Sequence, residues 1–168
     1  MARDGCTMTT RRKLLLSISG LVSVGLFLRD SRSVFAGDVL FKLSEEAWRQ
    51  RLDAAVFDVM RNKITEIPGS SPLLAEFRNG VFACAACDAA LFSSDRKFDA
   101  GSGWPSFLTA FPGAVTRTSI DSRTEVSCSR CDGHLGYLFD DGPKSAGLRY
   151  CVNGIAMRFS AAIGMPSA

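Results

Sequence analysis

Beyond its first 36 residues, this sequence lacks an excess of charge of either sign. The 168-residue chain has a formal net charge of +3, but six of its 20 basic residues and two of its 17 acidic residues lie in positions 1–36. The other positions hold 14 basic and 15 acidic residues, a net charge of −1. A nearly neutral domain has no electrostatic attraction for phosphate backbones or anionic lipid surfaces. We therefore expect no nucleic-acid partner.

The sequence also lacks an uninterrupted hydrophobic run long enough to be a comfortable membrane span. Its one apolar stretch, residues 14–28, follows Arg11-Arg12-Lys13 and is broken by serines and glycines. These features, with Val34-Phe35-Ala36 as a cleavage site, are typical of a twin-arginine signal peptide. We predict a leader over residues 1–36 and a periplasmic domain over residues 37–168. The alternative is an uncleaved leader that anchors the chain.

Internal repeats and low-complexity tracts are absent, and turn signals separate short β-like segments beyond residue 80. A stripe of apolar residues predicts one amphipathic helix from Ser44, its N-cap, to about Met60. That stripe consists of Trp48, Leu52, Val56 and Val59. The predicted strands cover residues 80–83, 89–92, 124–127, 135–139 and 148–152. The sequence therefore predicts a mainly β domain with an N-terminal helix.

Four of the six cysteines form two pairs, Cys84-x-x-Cys87 and Cys128-x-x-Cys131. Each pair can supply two corners of a tetrahedron, so together they predict one structural zinc ion per chain, with no open position for catalysis. Two disulfides or an iron–sulfur centre are the alternatives. Export of the folded chain favours zinc, because the reduced thiols would meet the metal in the cytoplasm.

Cys151 is left over, because Cys6 precedes the cleavage site. An odd cysteine in an exported protein is either a reactive thiol or an intermolecular partner. Arg149 lies two residues away and would favour the thiolate. Together with His134, the only histidine in the sequence, Cys151 indicates thiol chemistry. A buried, inert cysteine is the alternative.

Five motifs accompany the paired cysteines in one order along the chain. They are Gly103-Trp104-Pro105-Ser106-Phe107, Glu125-Val126-Ser127-Cys128, His134-Leu135-Gly136, Phe139-Asp140-Asp141-Gly142-Pro143 and Arg149-Tyr150-Cys151-Val152-Asn153. Thr65-Glu66 adds to them. Over residues 43–159 the sequence resembles the methionine sulfoxide reductase B family, which reduces the R epimer of methionine sulfoxide.

The resemblance implies a fold of two antiparallel sheets, with the zinc away from the active site. It implies that Cys151 is the catalytic nucleophile. It also implies five substrate-binding residues: Trp104 at the S-methyl group, His134 and Asn153 at the sulfoxide, Arg149 activating the thiol, and Phe139 near the pocket. For Trp104 and Phe139, packing in the core is the alternative.

Two positions depart from the family pattern. Tyr137 stands where the family usually has a second histidine, and Ser102 stands where many members carry a resolving cysteine. The implied sulfenic acid on Cys151 would then be recycled by an external, thioredoxin-like or other thiol reductant. We expect oxidised protein methionines as substrates and a monomeric enzyme. The competing functions are a zinc-ribbon binding module without catalysis and an iron–sulfur electron carrier.

Replacing both Arg11 and Arg12 by lysine should block export, because the paired arginines are the part of the leader that the translocase reads. The measurement is the amount of processed chain in the periplasmic fraction. Arg29→Lys, the same exchange outside the pair, is the control. Normal appearance of the processed chain outside the cytoplasm in the double variant would contradict the assignment.

Overall fold

The computed structural model describes residues 41–144 and 147–162. The predicted leader, residues 1–36, lies outside the described residues. Within the two described ranges, no helix has the length and apolar character needed to cross a membrane.

Between residue 41 and the first strand, the structure has two short helices rather than one. Helix α1 spans Glu45–Arg51 and helix α2 spans Ala54–Asn62, so the prediction of one continuous helix was wrong. Leu52 and Asp53 separate them in extended conformations. Trp48 and Phe57 lie nine residues apart, which places them on opposite faces of a continuous helix at 3.6 residues per turn. The break lets both side chains reach the core, where each is only 2% exposed.

The predicted N-cap of the first helix is confirmed. The Ser44 hydroxyl accepts a hydrogen bond from the Ala47 N–H at 3.2 Å, and Glu45 and Glu46 follow in the first turn. Helix α2 ends at Asn62, and the next residue, Lys63, adopts a left-handed conformation with φ 58°. The helices are thus bounded by local signals, although only burial determines where they separate.

In the described part of the chain, nine strands form two antiparallel sheets, which confirms the predicted mainly β fold. The smaller sheet has the order β2-β1-β9 and the larger has the order β3-β4-β8-β7-β6-β5. The strands are β1 (Gly80–Cys84), β2 (Ala90–Ser93), β3 (Lys97–Phe98), β4 (Ser106–Phe107), β5 (Val115–Ile120), β6 (Arg123–Cys128), β7 (His134–Phe139), β8 (Arg149–Val152) and β9 (Met157–Ala161). Short 3-10 turns cover Pro72–Ala75, Ser94–Arg96 and Gly154–Ala156.

Five strands match the predicted segments, whereas β3, β4, β5 and β9 were not singled out from the sequence. Strands β3 and β4 have only two residues each, too few to show a pattern. Strand β5 is an exposed edge strand with mostly polar side chains. Its extended form depends on pairing with β6, which the local sequence does not reveal.

An aromatic cluster packs the two sheets together. Phe82 on β1 and Phe92 on β2 lie against Phe107 on β4, with ring centroids 5.0 Å and 4.4 Å away. Phe92 also contacts Tyr150 on β8, at 5.7 Å. All four side chains are at most 1% exposed. This packing fixes β8, which carries Cys151, and β4, which pairs with it.

Strand register determines what surrounds Cys151. On β8, Cys151 pairs with Ser106 of β4 on one side and with Tyr137 of β7 on the other. Arg149 pairs with Phe139 two residues along the same two strands. Residues two apart on a strand, and their cross-strand partners, point to the same face of a sheet. Cys151, Tyr137, Arg149 and Phe139 therefore share one face.

Candidate active site and metal centre

The two cysteine pairs meet in one buried cluster, as the sequence predicted. The sulfur atoms of Cys84, Cys87, Cys128 and Cys131 all lie within 4.8 Å of one another. The Sγ atoms of Cys84 and Cys131 are 3.7 Å apart, and those of Cys87 and Cys128 are 3.6 Å apart. Disulfide sulfurs lie about 2.05 Å apart. The two-disulfide alternative therefore does not describe this arrangement.

The cluster has the dimensions of a tetrahedral metal site. A zinc–sulfur bond of about 2.3 Å gives tetrahedral sulfurs about 3.8 Å apart, close to the two spacings here. Neighbouring thiols and burial both raise the pKa of Cys84. Four thiolates this close repel one another strongly unless a cation lies among them. The donor set and its geometry thus fit a zinc ion held by Cys84, Cys87, Cys128 and Cys131.

The two pairs are built by the same local turn. In the first, the Asp88 N–H bonds the Cys84 carbonyl at 2.9 Å, and in the second the Asp132 N–H bonds the Cys128 carbonyl at 2.9 Å. Asp88 and Asp132 both adopt left-handed conformations, with φ 59° and 57°. Aspartate tolerates this region better than most residues. Each turn brings its two thiols to the same side.

The cluster joins the two sheets. Cys84 ends β1 of the smaller sheet and Cys128 ends β6 of the larger. Arg130, within the second pair, donates to the Cys87 carbonyl of the first pair at 3.0 Å. Arg61 of α2 donates to the Cys131 carbonyl at 2.9 Å, and its guanidinium lies over the Trp48 ring. The cluster therefore also holds both helices in place.

A separate cleft of about 140 Å³ opens at Cys151. Four of the predicted site residues line it, Trp104, Phe139, Cys151 and Asn153, and none of the four clustered cysteines does. The other lining residues are Thr65, Arg123, Gly136, Tyr137 and Val152. Gly136 is needed for the approach of β7 and β8, because a Cβ there would lie 2.0 Å from the Cys151 carbonyl oxygen.

The Cys151 thiol is half-buried at the cleft. Burial raises its pKa above the ordinary value, and the charge of Arg149 and the hydroxyl of Ser102 only partly oppose that effect. Arg149 thus acts in the direction expected from the sequence, but desolvation outweighs it. The Ser102 side chain lies within hydrogen-bonding reach of the sulfur. At neutral pH the resting thiol is protonated.

Arg149 is held behind the thiol by a bidentate ion pair. Its Nε and Nη2 atoms donate to the two Asp141 carboxylate oxygens, each at 2.8 Å. The guanidinium also lies 4.7 Å from the centroid of the Phe139 ring. Arg149 Nη1 is buried and has no hydrogen-bond partner among the described residues. Arg149 does not line the cleft, so it acts on Cys151 through its charge rather than by forming the wall.

Asn153 lines the cleft, but both ends of its amide are used within the protein. Its Nδ2 donates to the Leu135 carbonyl at 3.0 Å, and its Oδ1 accepts from the Glu66 N–H at 3.0 Å. Trp104 is fixed in a similar way, since its indole Nε1 donates to the Glu66 carbonyl at 3.2 Å. The indole therefore presents its apolar ring to the cleft.

His134, which the resemblance implies near the sulfoxide, is not among the residues that line the cleft. It is 1% exposed, and its Nδ1 lies 2.7 Å from Glu125 Oε1. Lys63 Nζ donates to Glu125 Oε2 at 2.8 Å. Burial lowers the pKa of His134 despite the neighbouring carboxylate, so the ring is neutral at pH 7. Its Nε2 has no hydrogen-bond partner in the part of the chain described.

Tyr137 takes the position at the cleft that His134 does not. It is the direct cross-strand partner of Cys151, and its ring meets the His134 ring edge to face, with centroids 5.2 Å apart. The Arg123 guanidinium lies over the Tyr137 ring, 5.7 Å from the ring centroid. From the sequence, Tyr137 is notable only because it stands where a second histidine is expected. Its place beside Cys151 depends on the register of β7 against β8.

A family model described as "SelR domain" matches residues 52–161. Similar curated proteins carry the name peptide methionine sulfoxide reductase MsrB. The one from Agrobacterium fabrum is 47% identical over 69% of this chain and 90% of its own length. The one from Methanosarcina barkeri is 45% identical over 69% of this chain and 85% of its own length. The one from Herminiimonas arsenicoxydans is 43% identical over 70% of this chain and 90% of its own length.

Removing one thiol from the cluster should remove the metal and unfold much of the domain. Structural zinc contributes about 10–16 kcal/mol to the folding of small zinc-binding peptides. We expect Cys128→Ser protein to contain less than one zinc ion per chain by elemental analysis and to lose its cooperative thermal transition. Cys151→Ser, which changes a thiol outside the cluster, should retain both. Well-folded, zinc-free wild-type protein would refute the assignment.

Alkylation of Cys151 by iodoacetamide should be slow at pH 7 and accelerate as the pH rises. Because burial raises the thiol pKa, the midpoint should lie above about 8.5, the ordinary value for cysteine. Arg149→Met should move the midpoint higher still, since it removes a charge that favours the thiolate. Arg49→Met, an exposed arginine on α1, should leave it unchanged. A wild-type midpoint below 8 would contradict the burial argument.

Proposed function

The chain belongs to the SelR domain family and is a peptide-methionine (R)-S-oxide reductase, and on that premise we propose how it acts. Cys151 attacks methionine (R)-sulfoxide in oxidised proteins, becomes a sulfenic acid and is recycled by an external thiol. One observation carries the proposal. Cys151 is the only described cysteine outside the metal-type cluster, and it opens into a cleft with an apolar wall and polar groups.

The apolar part of the cleft would receive the methyl end of the substrate. Trp104 and Phe139 line it, and the Trp104 N–H is already bonded to a backbone carbonyl. A ring without a free donor offers the S-methyl group a surface that excludes water. Phe139 is 39% exposed, which suits a residue that covers a bound side chain better than one that fills the core.

We assign the hydrogen bond to the sulfoxide oxygen to Tyr137. Its side chain lines the cleft beside Cys151, and a phenol O–H can donate. His134 is less suited to this role. With Nδ1–H donating to Glu125, the neutral ring has a bare Nε2, which can accept a hydrogen bond but cannot donate one. In our proposal Lys63, Glu125 and His134 support the Tyr137 ring from behind.

The chemistry balances without an added oxidant. The Cys151 sulfur attacks the electrophilic sulfur of the sulfoxide and forms a transient S–S bond. This bond and the S–O bond of the sulfoxide then break, an S–O bond forms to the cysteine sulfur, and the products are Cys–S–OH and the thioether. Methionine sulfur gains two electrons and cysteine sulfur loses two. The proton of the resting thiol is retained in the products. Arg149 would stabilise the thiolate while it forms, as its bidentate bond to Asp141 fixes its position.

Recycling requires a thiol from outside the chain. Ser102, not a cysteine, lies beside Cys151, and the four other described cysteines are buried in the cluster. An external thiol would attack the sulfenic sulfur, releasing water and forming a mixed disulfide, which a second thiol then reduces. A thioredoxin-like dithiol would supply both. We place this reaction in the periplasm, as part of the proposal based on the leader over residues 1–36.

In this proposal one zinc ion in the cysteine cluster has a structural role. The four protein thiols complete a tetrahedron, so no coordination position remains for substrate or water. None of the four lines the cleft. The metal would hold the strands that carry the site.

Cys151→Ser should abolish sulfoxide reduction, by more than about 1000-fold, while retaining zinc and fold. In wild-type protein, one equivalent of methionine (R)-sulfoxide without reductant should add one oxygen to the intact mass, trappable by a sulfenic-acid probe. The same treatment of Ser102→Cys protein should instead remove two hydrogens, because a thiol beside Cys151 can form a disulfide.

Ser119→Cys is the matched control, because it adds a thiol on β5, three strands away from β8. It should gain one oxygen like the wild type. If wild-type protein loses two hydrogens without gaining oxygen, a cluster cysteine takes part and the one-cysteine mechanism fails. Turnover by Cys151→Ser with dithiothreitol would exclude Cys151 as the nucleophile.

A further inference from the structure

The Glu66 carboxylate is bonded to the turn that follows Cys151. Its Oε1 accepts from the Gly154 N–H at 2.6 Å, and its Oε2 accepts from the Ile155 N–H at 3.0 Å. These amides begin the 3-10 turn Gly154–Ala156, where N–H groups have no partner within the turn itself. The carboxylate therefore fixes the chain three and four residues beyond the nucleophile.

The backbone of the same residue holds two residues of the cleft. The Glu66 N–H donates to Asn153 Oδ1 at 3.0 Å, and the Glu66 carbonyl accepts from Trp104 Nε1 at 3.2 Å. Thr65, its chain neighbour, lines the cleft itself. The position of this one residue thus determines where the indole and the Asn153 amide lie.

Packing alone does little to hold this segment. Residues 63–67 form no helix or strand, and the neighbours Ile64 and Ile67 are 52% and 75% exposed. The segment is instead tied by hydrogen bonds, those of Glu66 and one from the Gly69 N–H to the Gly103 carbonyl at 2.8 Å. Gly154 is also closely approached by Ser71, since a Cβ at Gly154 would lie 1.9 Å from Ser71 Oγ and 3.4 Å from Glu66 Oε1.

We propose that Glu66 is a positioning residue of this site: its carboxylate clamps residues 65–66 onto the turn after Cys151 and thereby sets the Trp104 indole in the cleft. The inference rests on the proposed function of the cleft. Glu66 does not line the cleft, so it acts through Trp104 and Asn153. Small displacements of groups that orient a substrate have large effects on rate, up to about 100-fold for about 1 Å.

The test compares Glu66→Ala and Glu66→Gln with wild type. Glu66→Ala should lower kcat/KM for methionine (R)-sulfoxide roughly 10- to 100-fold, mainly through KM, because the wall for the S-methyl group is displaced. Glu66→Gln retains one acceptor oxygen, so its kcat/KM should lie between those of Glu66→Ala and the wild type. Zinc content and the rate of Cys151 alkylation should stay within twofold of wild type. Glu45→Ala and Glu45→Gln, exposed on α1, are the matched controls and should change nothing.

A spectroscopic measurement tests the clamp independently of turnover. The chain has two tryptophans, and Trp104→Phe identifies the indole N–H signal of Trp104 in a ¹⁵N-labelled spectrum. In Glu66→Ala this signal should shift and exchange faster with solvent, while that of Trp48 stays fixed. If wild-type protein fails to reduce the sulfoxide, the proposed function fails, yet this signal still tests the clamp.

The proposal is overturned if folded, zinc-loaded Glu66→Ala keeps both its Trp104 signal and a kcat/KM within twofold of wild type, whatever its melting temperature. If Glu66→Ala does not fold, the same criteria apply to Glu66→Gln.

Discussion

The close approach of four sulfur atoms is the constraint on which the rest of the structure depends. Cys84 and Cys128 terminate strands of different sheets, so the cluster fixes β1 relative to β6. Strand β9 pairs with β1 along its whole length, and only the turn at residues 153–156 separates β9 from β8. Fixing β1 therefore also limits where the chain after Cys151 can run. The aromatic packing of Phe92 and Phe107 acts in the same direction. The cluster and the cleft thus share no residue, but strand pairing connects them.

Competition between burial and charge defines the state of the nucleophile. In the proposed reaction the cleft excludes water from the methyl group of the substrate, and the same exclusion disfavours the thiolate. The charge of Arg149 lowers the pKa of the Cys151 thiol, but burial raises that pKa by more. A neutral resting thiol agrees with the proposed reaction, in which thiol and sulfoxide become sulfenic acid and thioether without net gain or loss of protons. The proposed Glu66 clamp would position the Trp104 wall of the cleft without placing a charge beside the Cys151 sulfur.

Tyr137 lines the cleft, whereas His134 does not. His134 is turned towards Glu125. Burial tends to raise the pKa of the Glu125 carboxyl, but hydrogen bonds from Lys63 and His134 bring that pKa below its usual value. The carboxylate therefore stays charged, and the imidazole donates to it. In our proposal the Tyr137 hydroxyl, in the lining of the cleft, is the donor to the sulfoxide oxygen. The buried Glu125 and His134 thus lie behind the Tyr137 ring, and Tyr137 is the residue proposed to contact the sulfoxide oxygen.

By itself, the sequence determined the features that depend on residue type and short spacing. Two Cys-x-x-Cys pairs predict a four-sulfur cluster because each turn is local, and the short β-like segments predict a mainly β fold. Cys151 stands out as the unpaired cysteine. Only the tertiary structure decided the break between α1 and α2, the register that brings Tyr137 to Cys151, the inward turn of His134 and the direction of the Cys151 pKa. Glu66 gave a signal only as part of Thr65-Glu66, with no role, because its partners lie nearly 40 and nearly 90 residues away along the chain. These features arise from burial and long-range hydrogen bonds, which local sequence patterns do not encode.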